Sequence, residues 1–222
     1  MDYLYETHMH TSEVSACAIN SATQQVAIYK TQGFTGIIIT DHFVNGYTTC
    51  PKTLPWEAKM KFVASGYNVA KKAGDIIGLD VFFGWEYSIR GADFLTYGLD
   101  LDFLLANPGM DKLEIEAYSA LIRNAGGYLA QAHPYRDEYY IEQKYPVASN
   151  LIDGVEVYNE MDKRISNSKA LAFAKENDLP MQAGTDSHGR NDRHFRGIAL
   201  KKRAKTIGDI IDALKAKEVR LF

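Results

Sequence analysis

The chain has 222 residues, 46% of them hydrophobic, and its 25 basic and 28 acidic side chains give a formal net charge of −3. This length and composition predict one domain, residues 1–222, with a single substantial core. The charge balance gives little support to nucleic-acid binding, because the one basic cluster, residues 201–205, precedes a predicted helix and is typical of a solvated surface.

The sequence also indicates where the protein works. Its two cysteines, Cys17 and Cys50, are too few for a disulfide scaffold and fit a reducing compartment. Each is expected to be a free thiol without a chemical role. The first residues show no secretory signal, and no apolar stretch is long enough to cross a bilayer. We therefore expect a soluble cytoplasmic protein that has no membrane partner.

Aliphatic runs that predict buried strands alternate with segments of helical spacing. In chain order we predict helix 22–32, strand 36–40, helix 56–73, strand 81–85, helix 112–124, strands 128–131 and 154–158, helix 166–177, strand 181–185 and helix 206–217. Gly33, Gly74 and Gly126 are predicted to end helices in a left-handed conformation. The alternation predicts parallel strands joined by right-handed crossovers.

An open doubly wound sheet and a closed barrel both satisfy this pattern. An open sheet concentrates its ligands at one switch point, whereas here polar candidates follow almost every strand, as the mouth of a barrel requires. The chain also has no Gly-x-Gly-x-x-Gly after its first strand and no Walker-type loop. A barrel is the favoured architecture.

Five of the six histidines follow short apolar runs and have acidic neighbours, which indicates a metal site. His8 and His10 are two apart, so on an extended strand both rings face the same side. Asp186 and His188 repeat this spacing near the other end of the chain.

Three further positions support the same site. Asp41 and His42 are adjacent, so they point to opposite faces, and Asp41 is expected to orient a neighbouring ligand. His133 precedes Pro134, which predicts extended backbone. Glu86 ends a strand, where a buried carboxylate would be costly without a cation.

The ordered motifs resemble those of the PHP (polymerase and histidinol phosphatase) domain family. They are His8-Met9-His10-Thr11, Thr40-Asp41-His42, Gly84-Trp85-Glu86, Ala132-His133-Pro134 and Gly184-Thr185-Asp186-Ser187-His188. The resemblance implies a distorted (β/α)7 TIM-like barrel with two or three divalent ions, zinc, manganese or iron. It also implies hydrolysis of phosphoesters, as in histidinol phosphatases, by a hydroxide that bridges two ions.

Position by position, the resemblance implies three sets of ligands. These are His8, His10 and Asp186 for a first ion, His133 for a second with Glu86 bridging the two, and His42 and His188 for a third. Two positions depart from the family pattern. Asp93 stands where many members have a histidine of the second site, and it can still bind a hard cation. After the first motif the chain offers Glu13, Ser15 and Cys17 in place of a His or Asp. Glu13 is the best candidate by ligand type, with an N-terminal helix-cap role for its neighbours as the alternative.

Other residues are candidates for the substrate. Arg136, three residues after His133, is the first choice for a phosphate clamp, ahead of Arg90 and Arg196. Glu156 is expected to orient a ligand or contact substrate, with a structural hydrogen bond as the alternative. Residues that could shape the pocket are Tyr135, Tyr139 and Tyr140, whereas His194 is left outside the metal set.

The leading hypothesis is a metal-dependent phosphoesterase that acts on a small phosphorylated metabolite. Two alternatives stay open: an amidohydrolase-like enzyme with similar ligands, and a degenerate PHP module without catalysis. The sequence selects neither the substrate nor the oligomeric state.

Overall fold

The computed structural model describes residues 2–139, 141–189 and 194–222. Its strands are β1 (Tyr3–Glu6), β2 (Gly36–Ile39), β3 (Asp80–Ile89), β4 (Ala92–Tyr97), β5 (Tyr128–Gln131), β6 (Gly154–Asn159), β7 (Met181–Gly184), β8 (Ile198–Leu200) and β9 (Arg220–Leu221). Its α-helices are α1 (Ala22–Thr31), α2 (Trp56–Val63), α3 (Ser65–Ile77), α4 (Leu101–Ala106), α5 (Ile115–Asn124), α6 (Arg164–Glu176) and α7 (Ile207–Lys215). All five predicted strands and all five predicted helical segments are present, with shifted ends.

The strands form one mixed sheet in the order β7-β6-β5-β4-β3-β2-β1-β8-β9. β1, β2 and β3 are parallel, as are β5, β6 and β7, and β4 runs antiparallel between the two sets. Beyond β7 the chain returns to the segment after β1, where Asp186 N donates to His8 O at 2.9 Å and His10 N donates to Ser187 O at 2.9 Å. This seam nearly closes the sheet into a barrel.

Apolar clusters on both sides of the sheet fix this barrel. One cluster joins α1 and α3 to β2 and β3 through Val26, Tyr29, Ala70 and Ile37. In another, Ile210 and Leu214 of α7 pack with buried residues of β1 and β4. The third and largest cluster joins α2, α4, α5 and α6 to the middle strands. The helices therefore pack on the sheet, and the carboxyl ends of its parallel strands remain available for polar side chains.

Several boundaries differ from the predictions. Residues 56–73 form two helices, because Ser65 Oγ donates to Phe62 O at 2.6 Å and the first helix ends there. Gly33 and Gly126 have positive φ as predicted, but Gly74 lies inside α3, and Gly78, with φ of 72°, ends that helix. The prediction for Gly74 was wrong.

The strand β4 was not predicted, although its residues were examined for a ligand. It forms a hairpin with β3, in which Glu86 pairs with Leu95 and Ser88 pairs with Asp93. No helix in the described parts of the chain is long and apolar enough to span a membrane.

Candidate metal centre

The polar candidates converge at one end of the barrel. His8 and His10 follow β1, His42 follows β2, and His133 follows β5. Asp186 and His188 follow β7, whereas Glu86 and Glu156 belong to β3 and β6. Because parallel strands end at the same edge, these side chains meet there. Asp93 is the second residue of β4. It reaches the same edge because this antiparallel strand begins next to the end of β3.

Four groups of potential ligand atoms overlap in this cluster, each with its atoms within 4.8 Å of one another. They are His8 with His10 and Glu86; His8 with His133 and Asp186; Glu86 with Asp93 and His133; and His10 with His42 and His188. The structure thus brings together eight of the nine predicted ligand residues, all except Glu13.

Glu86 lies at the centre of the cluster. Its Oε1 is 3.1 Å from His8 Nε2 and 3.3 Å from His133 Nε2. Its Oε2 is 2.9 Å from His42 Nδ1 and 3.4 Å from His10 Nε2. One carboxylate therefore faces four imidazoles that come from three different strand ends.

Asp186 occupies the other side of the first histidine pair. Its Oδ1 is 3.2 Å from His10 Nε2 and 3.4 Å from His8 Nε2, and those two nitrogens are 3.2 Å apart. Its Oδ2 accepts a hydrogen bond from Arg136 at 2.8 Å. With Glu86, this arrangement aims two imidazole nitrogens and two carboxylates at one small volume.

Supporting hydrogen bonds orient the two rings. Glu156 Oε1 lies 3.0 Å from His8 Nδ1, and because a carboxylate only accepts, that nitrogen carries the proton. Asp41 accepts from Ser15 Oγ at 2.7 Å, and Ser15 Oγ is 3.0 Å from His10 Nδ1. The hydroxyl's proton is used on Asp41, so His10 Nδ1 is the donor to Ser15. Both Nε2 atoms face the cluster, and in the neutral form of each ring their lone pairs would be free to bind a cation, as in carboxylate-supported metal ligands.

The positions of Asp41 and Glu156 match the supporting role that the sequence predicted. Glu156 Oε2 also accepts from His133 N at 3.1 Å, and Asp41 also accepts from the backbone N of Thr11 at 2.6 Å. Both carboxylates are at most 1% exposed. Glu156 therefore contacts ligands and not substrate.

The remaining ligand candidates lie nearer to solvent. Asp93 Oδ2 is 3.8 Å from His133 Nε2, and its Oδ1 accepts from Ser88 Oγ. His188 Nδ1 lies 2.7 Å from the backbone oxygen of Asp186 and must donate to it. Burial would raise the pKa of the Cys17 thiol, but the nearby His188 and His42 outweigh that effect and lower it to about 7.

The buried histidines and carboxylates of the cluster shift one another's pKa values. Burial alone would lower the pKa of His8, but Asp186, Glu156 and Glu86 raise it well above its usual range. Burial would raise the pKa of Glu86, but His8 and His42 hold it well below its usual range. Burial and the neighbouring His188 and His42 lower the pKa of His10 well below its usual range. Carboxylates and neutral imidazole are the protonation states that bind metal.

Two observations test whether these residues fit a cation. Glu86 Oε2 and His42 Nδ1 are buried atoms without a hydrogen-bond partner in the described parts of the chain, although they lie 2.9 Å apart. Such atoms are costly unless something binds them. His133 and Asp186 have φ of 27° and 55°, which is rare for residues with a side chain and recurs at functional sites. The donor set therefore fits divalent cations, and the extended backbone predicted for His133 was wrong.

Glu13 is the predicted ligand that lies elsewhere. Both of its carboxylate oxygens accept from Ala22 N, at 2.9 and 3.1 Å, at the first turn of α1. A carboxylate is favourable there because the first backbone N–H groups of a helix lack partners. Glu13 itself therefore supports the start of α1, a role that the sequence had left as the alternative for its neighbours.

Of the three arginines predicted as phosphate ligands, one lines the pocket and two form ion pairs elsewhere. Arg136 lines the pocket, where its guanidinium contacts Asp162, Asn159 and Asp186. Arg90 forms an exposed ion pair with Glu114, and Arg196 pairs with Glu160.

The remaining candidates are divided. Tyr139 lines the pocket, and Tyr135 packs with the core formed by the outer helices. Tyr140 lies outside the described residues. His194 is exposed and belongs to none of the ligand groups.

Sequence reasoning missed the residues that hold the ligands in place. Glu6 Oε1 accepts from three backbone nitrogens, those of Thr7, His8 and Thr185, all at 2.9 Å. Its Oε2 accepts from Tyr29 at 2.8 Å. A buried glutamate two residues before a His-x-His pair is the one signal that could have pointed to it.

A glycine permits the close approach of β7 to His8 and Glu156. A Cβ on Gly184 would lie 2.6 Å from His8 Cβ and 2.7 Å from Glu156 Oε1. No larger residue fits between β7 and this pair without moving it.

A pocket of about 750 Å³ opens above the cluster. Its floor includes Glu86, His133 and Asp186, and its rim includes the exposed Tyr47 and Tyr139. The volume is in the range of sites that bind small molecules.

No family model matches the chain, and no curated protein matches its sequence. Solved structures do match. A two-domain protein from Bacteroides vulgatus ATCC 8482, described as containing a predicted PHP-like metal-dependent phosphoesterase, aligns with 100% of this chain at a TM-score of 0.74 and 14% identity. The chain spans 65% of that protein's length.

Two further structures match over nearly their whole length. A protein from Bifidobacterium adolescentis ATCC 15703, assigned as a metal-dependent phosphoesterase, has a TM-score of 0.58 and 15% identity, with 97% of this chain and 96% of that chain covered. An amidohydrolase from Chromobacterium violaceum, solved with bound sulfate and no metal, has a TM-score of 0.59 and 14% identity, with 95% and 96% covered. The chain therefore has the fold of the PHP-like metal-dependent phosphoesterases, which confirms the resemblance in its sequence at the level of the fold.

Proposed function

We propose that the protein is a metal-dependent phosphoesterase that hydrolyses a phosphomonoester or phosphodiester of a small metabolite, on a distorted (β/α)7 TIM-like barrel of PHP type. The observation that carries this proposal is the position of Glu86, whose Oε1 faces both His8 and His133 and whose Oε2 faces His10. A carboxylate shared between two ligand groups is suited to hold two cations close together, as two-metal hydrolases require.

The ligands divide naturally between two such cations. His8, His10 and Asp186 would hold the first, and Asp93 and His133 the second, with Glu86 between them. Imidazole and carboxylate donors suit zinc, manganese or iron. Bound cations would supply a water of lowered pKa and neutralise negative charge on the phosphoryl group.

Arg136 is the residue that would bind the phosphoryl oxygens. Its pKa stays above the usual arginine range because Asp186 and Asp162 outweigh the effect of burial, so it is always charged. Its contacts with those two carboxylates also fix the guanidinium at the pocket wall. A fixed cation beside the ligand cluster would position the ester without a large entropic cost.

The pocket suggests the size of the substrate. Its volume suits a small phosphorylated molecule, and Tyr47 and Tyr139 at the rim offer apolar surface for the group that the phosphate carries.

An amidohydrolase-like reaction is the second candidate, because the Chromobacterium violaceum structure shares this fold. Both reactions could use the same ligands, and they differ in the group that must be positioned. Arg136 favours the phosphoester, since a guanidinium matches phosphate oxygens in charge and geometry.

The test is an assay of the purified protein on matched panels of phosphoesters and amides, before and after chelation. We expect phosphoester hydrolysis that is lost with the metal and restored by manganese, zinc or iron. Full activity of metal-free protein would overturn the proposal, and hydrolysis of amides alone would favour the second candidate. Fewer than two metals per chain without hydrolysis would indicate a non-catalytic module.

A further inference from the structure

One face of α1 lies against the seam between the segments that follow β1 and β7. Gln25 and Tyr29 are four positions apart on this helix and therefore share a face. Both side chains are fully buried, although each ends in a polar group. Buried polar groups are costly unless they are hydrogen-bonded, so the partners of these two side chains show what this face of α1 does.

Gln25 bonds to both sides of the seam. Its Nε2 donates to His10 O at 3.0 Å on one side, and on the other side it lies 3.3 Å from Ser187 O and 3.0 Å from Ser187 Oγ. Backbone carbonyl oxygens only accept, so the nitrogen of this amide, and not its oxygen, must face the seam. The two hydrogens on that nitrogen allow one bond to each side.

Tyr29 reaches the seam one step earlier along the two segments, through Glu6. The hydroxyl of Tyr29 donates to Glu6 Oε2 at 2.8 Å. Glu6 Oε1 in turn accepts from His8 N and from Thr185 N, which lie on opposite sides of the seam. This face of α1 thus supports the seam at two successive levels, and at the second level Gln25 bonds to the two segments directly.

The atoms that Gln25 binds belong to the segments that carry the inner ligands. His10 N donates to Ser187 O at 2.9 Å, so with Gln25 on its oxygen both backbone polar atoms of His10 are bonded at the seam. Ser187 follows Asp186 directly in the chain. His10 Nε2 and Asp186 Oδ1 come from the two sides and lie 3.2 Å apart. This distance depends on the spacing of the two segments, which Gln25 spans.

We propose that Gln25 is a positioning residue of the inner metal site. Its amide fixes the spacing of the segments that carry His10 and Asp186, and so raises the affinity of that site for its cation. Gln25 itself contacts neither the cation nor the substrate. The inference rests on the metal centre proposed above, but not on the reaction. Ligands bind a cation tightly when neighbouring residues hold them at the required separation before the cation arrives.

The test compares zinc binding by Gln25→Met and Val26→Ala, with a chelator as competitor. Methionine is close to glutamine in size but donates no hydrogen bond, so the seam loses the link across it. We expect the most tightly bound zinc to lose affinity by about 10-fold or more, as when a residue that supports a ligand is removed. Val26 is the matched control, because it is the next residue of α1, is buried and packs toward β2 and β3. Val26→Ala should lower the urea midpoint and leave zinc affinity at the wild-type level.

A second measurement needs no metal. In metal-free Gln25→Met, the amide hydrogen of His10, which bonds to Ser187 O, should exchange with solvent faster than in wild type, because the seam opens more often. Gln25→Asn keeps the amide on a side chain too short to span both segments. It should show the same two effects, and it replaces Gln25→Met if methionine prevents folding.

The inference fails if Gln25→Met binds zinc as tightly as wild type. It also fails if Val26→Ala, at an equal loss of stability, loses as much zinc affinity, since affinity would then follow stability alone. If wild type binds no zinc, the proposed metal centre fails instead, so the two failures are distinguishable.

Discussion

The metal centre has two halves that differ in how the protein holds them. The inner half, His8, His10 and Asp186, exposes at most 2% of any side chain, whereas the outer half, His42, Asp93 and His188, exposes 13 to 17%. Each inner ring is oriented by a buried carboxylate or a hydroxyl relay. In the outer half, Asp93 accepts a hydrogen bond from Ser88 of the hairpin, and His188 is held by the backbone oxygen of Asp186. The inner side chains are therefore fixed by the barrel itself, whereas the outer side chains depend on loops that can change independently.

Substitution of Glu86 should break both halves at once. Glu86→Gln keeps the size but removes the charge that faces four imidazoles, so we expect kcat/KM on the best phosphoester to fall by about 1000-fold or more. Metal content measured on the same sample should fall below two ions per chain. An unchanged far-ultraviolet circular dichroism spectrum would show that the barrel still folds. Full activity with two bound metals would contradict the shared role of this carboxylate.

Glu6 supports only the inner half, and its effect should depend on pH. Burial raises its pKa from 4.5 to about 7, against hydrogen bonds from Thr185 and His8 that lower it. The folded chain then binds the proton more tightly than the unfolded chain, so this group's contribution to stability is full below pH 4.5 and is lost as pH rises to about 7. The loss is at most roughly 3 kcal/mol.

Urea unfolding of metal-free protein between pH 4.5 and 8 measures this effect. Glu6→Gln cannot titrate, so the difference in unfolding free energy between wild type and this variant isolates Glu6 from the other acids. We expect wild type to lose stability relative to the variant as pH rises. Identical pH slopes for the two proteins would show that Glu6 is not protonated in the folded state.

Glu156 tests the orientation of an inner ring. Because Glu156 fixes the proton on His8 Nδ1, Glu156→Gln should weaken the first metal site by about 10- to 100-fold. Ser88→Ala is the outer counterpart, since it removes the hydroxyl that holds Asp93, and we expect less than a 10-fold change. Competition with a metal chelator measures both. Equal losses would mean that the two halves are held alike.

The smallest effect should come from a residue that belongs to neither half. Glu13→Ala removes two hydrogen bonds to Ala22 N at the start of α1, so we expect a loss of about 1 kcal/mol in unfolding free energy. Metal content and kcat/KM should stay at the wild-type level. A loss of one metal ion would instead show that Glu13 is a ligand of the outer half.

The side chains that cluster at the barrel mouth could be predicted from the sequence because their signal is local. His8 and His10 are spaced for one face of a strand, and Asp186 and His188 repeat that spacing. The supporting residues could not be predicted so well, because the roles of Glu6 and Ser15 depend on partners that the fold brings from distant segments. The seam joins Glu6 to Thr185, which are 179 positions apart.

Local geometry explains the other differences. β4 was missed because residues 92–97 are a short strand that pairs within a hairpin, and no helix separates it from β3. His133 was expected to be extended because a proline follows it. Its φ is 27°, because its backbone N donates to the distant Glu156 and its backbone O accepts from Arg136 N in a local turn. Tertiary contacts of this kind override local preference most often at functional sites.

The seam that nearly closes the barrel has a consequence for how the molecule opens. The same backbone hydrogen bonds that join the segments after β1 and β7 also carry His8, His10 and Asp186. A cation held by those three residues would therefore link the segment after β1 to the segment after β7 and stabilise the closure of the barrel. Emptying the inner site should loosen this join before any other part of the barrel, and amide hydrogens of residues 8, 10 and 186 should then exchange with solvent faster than those of β2 and β3.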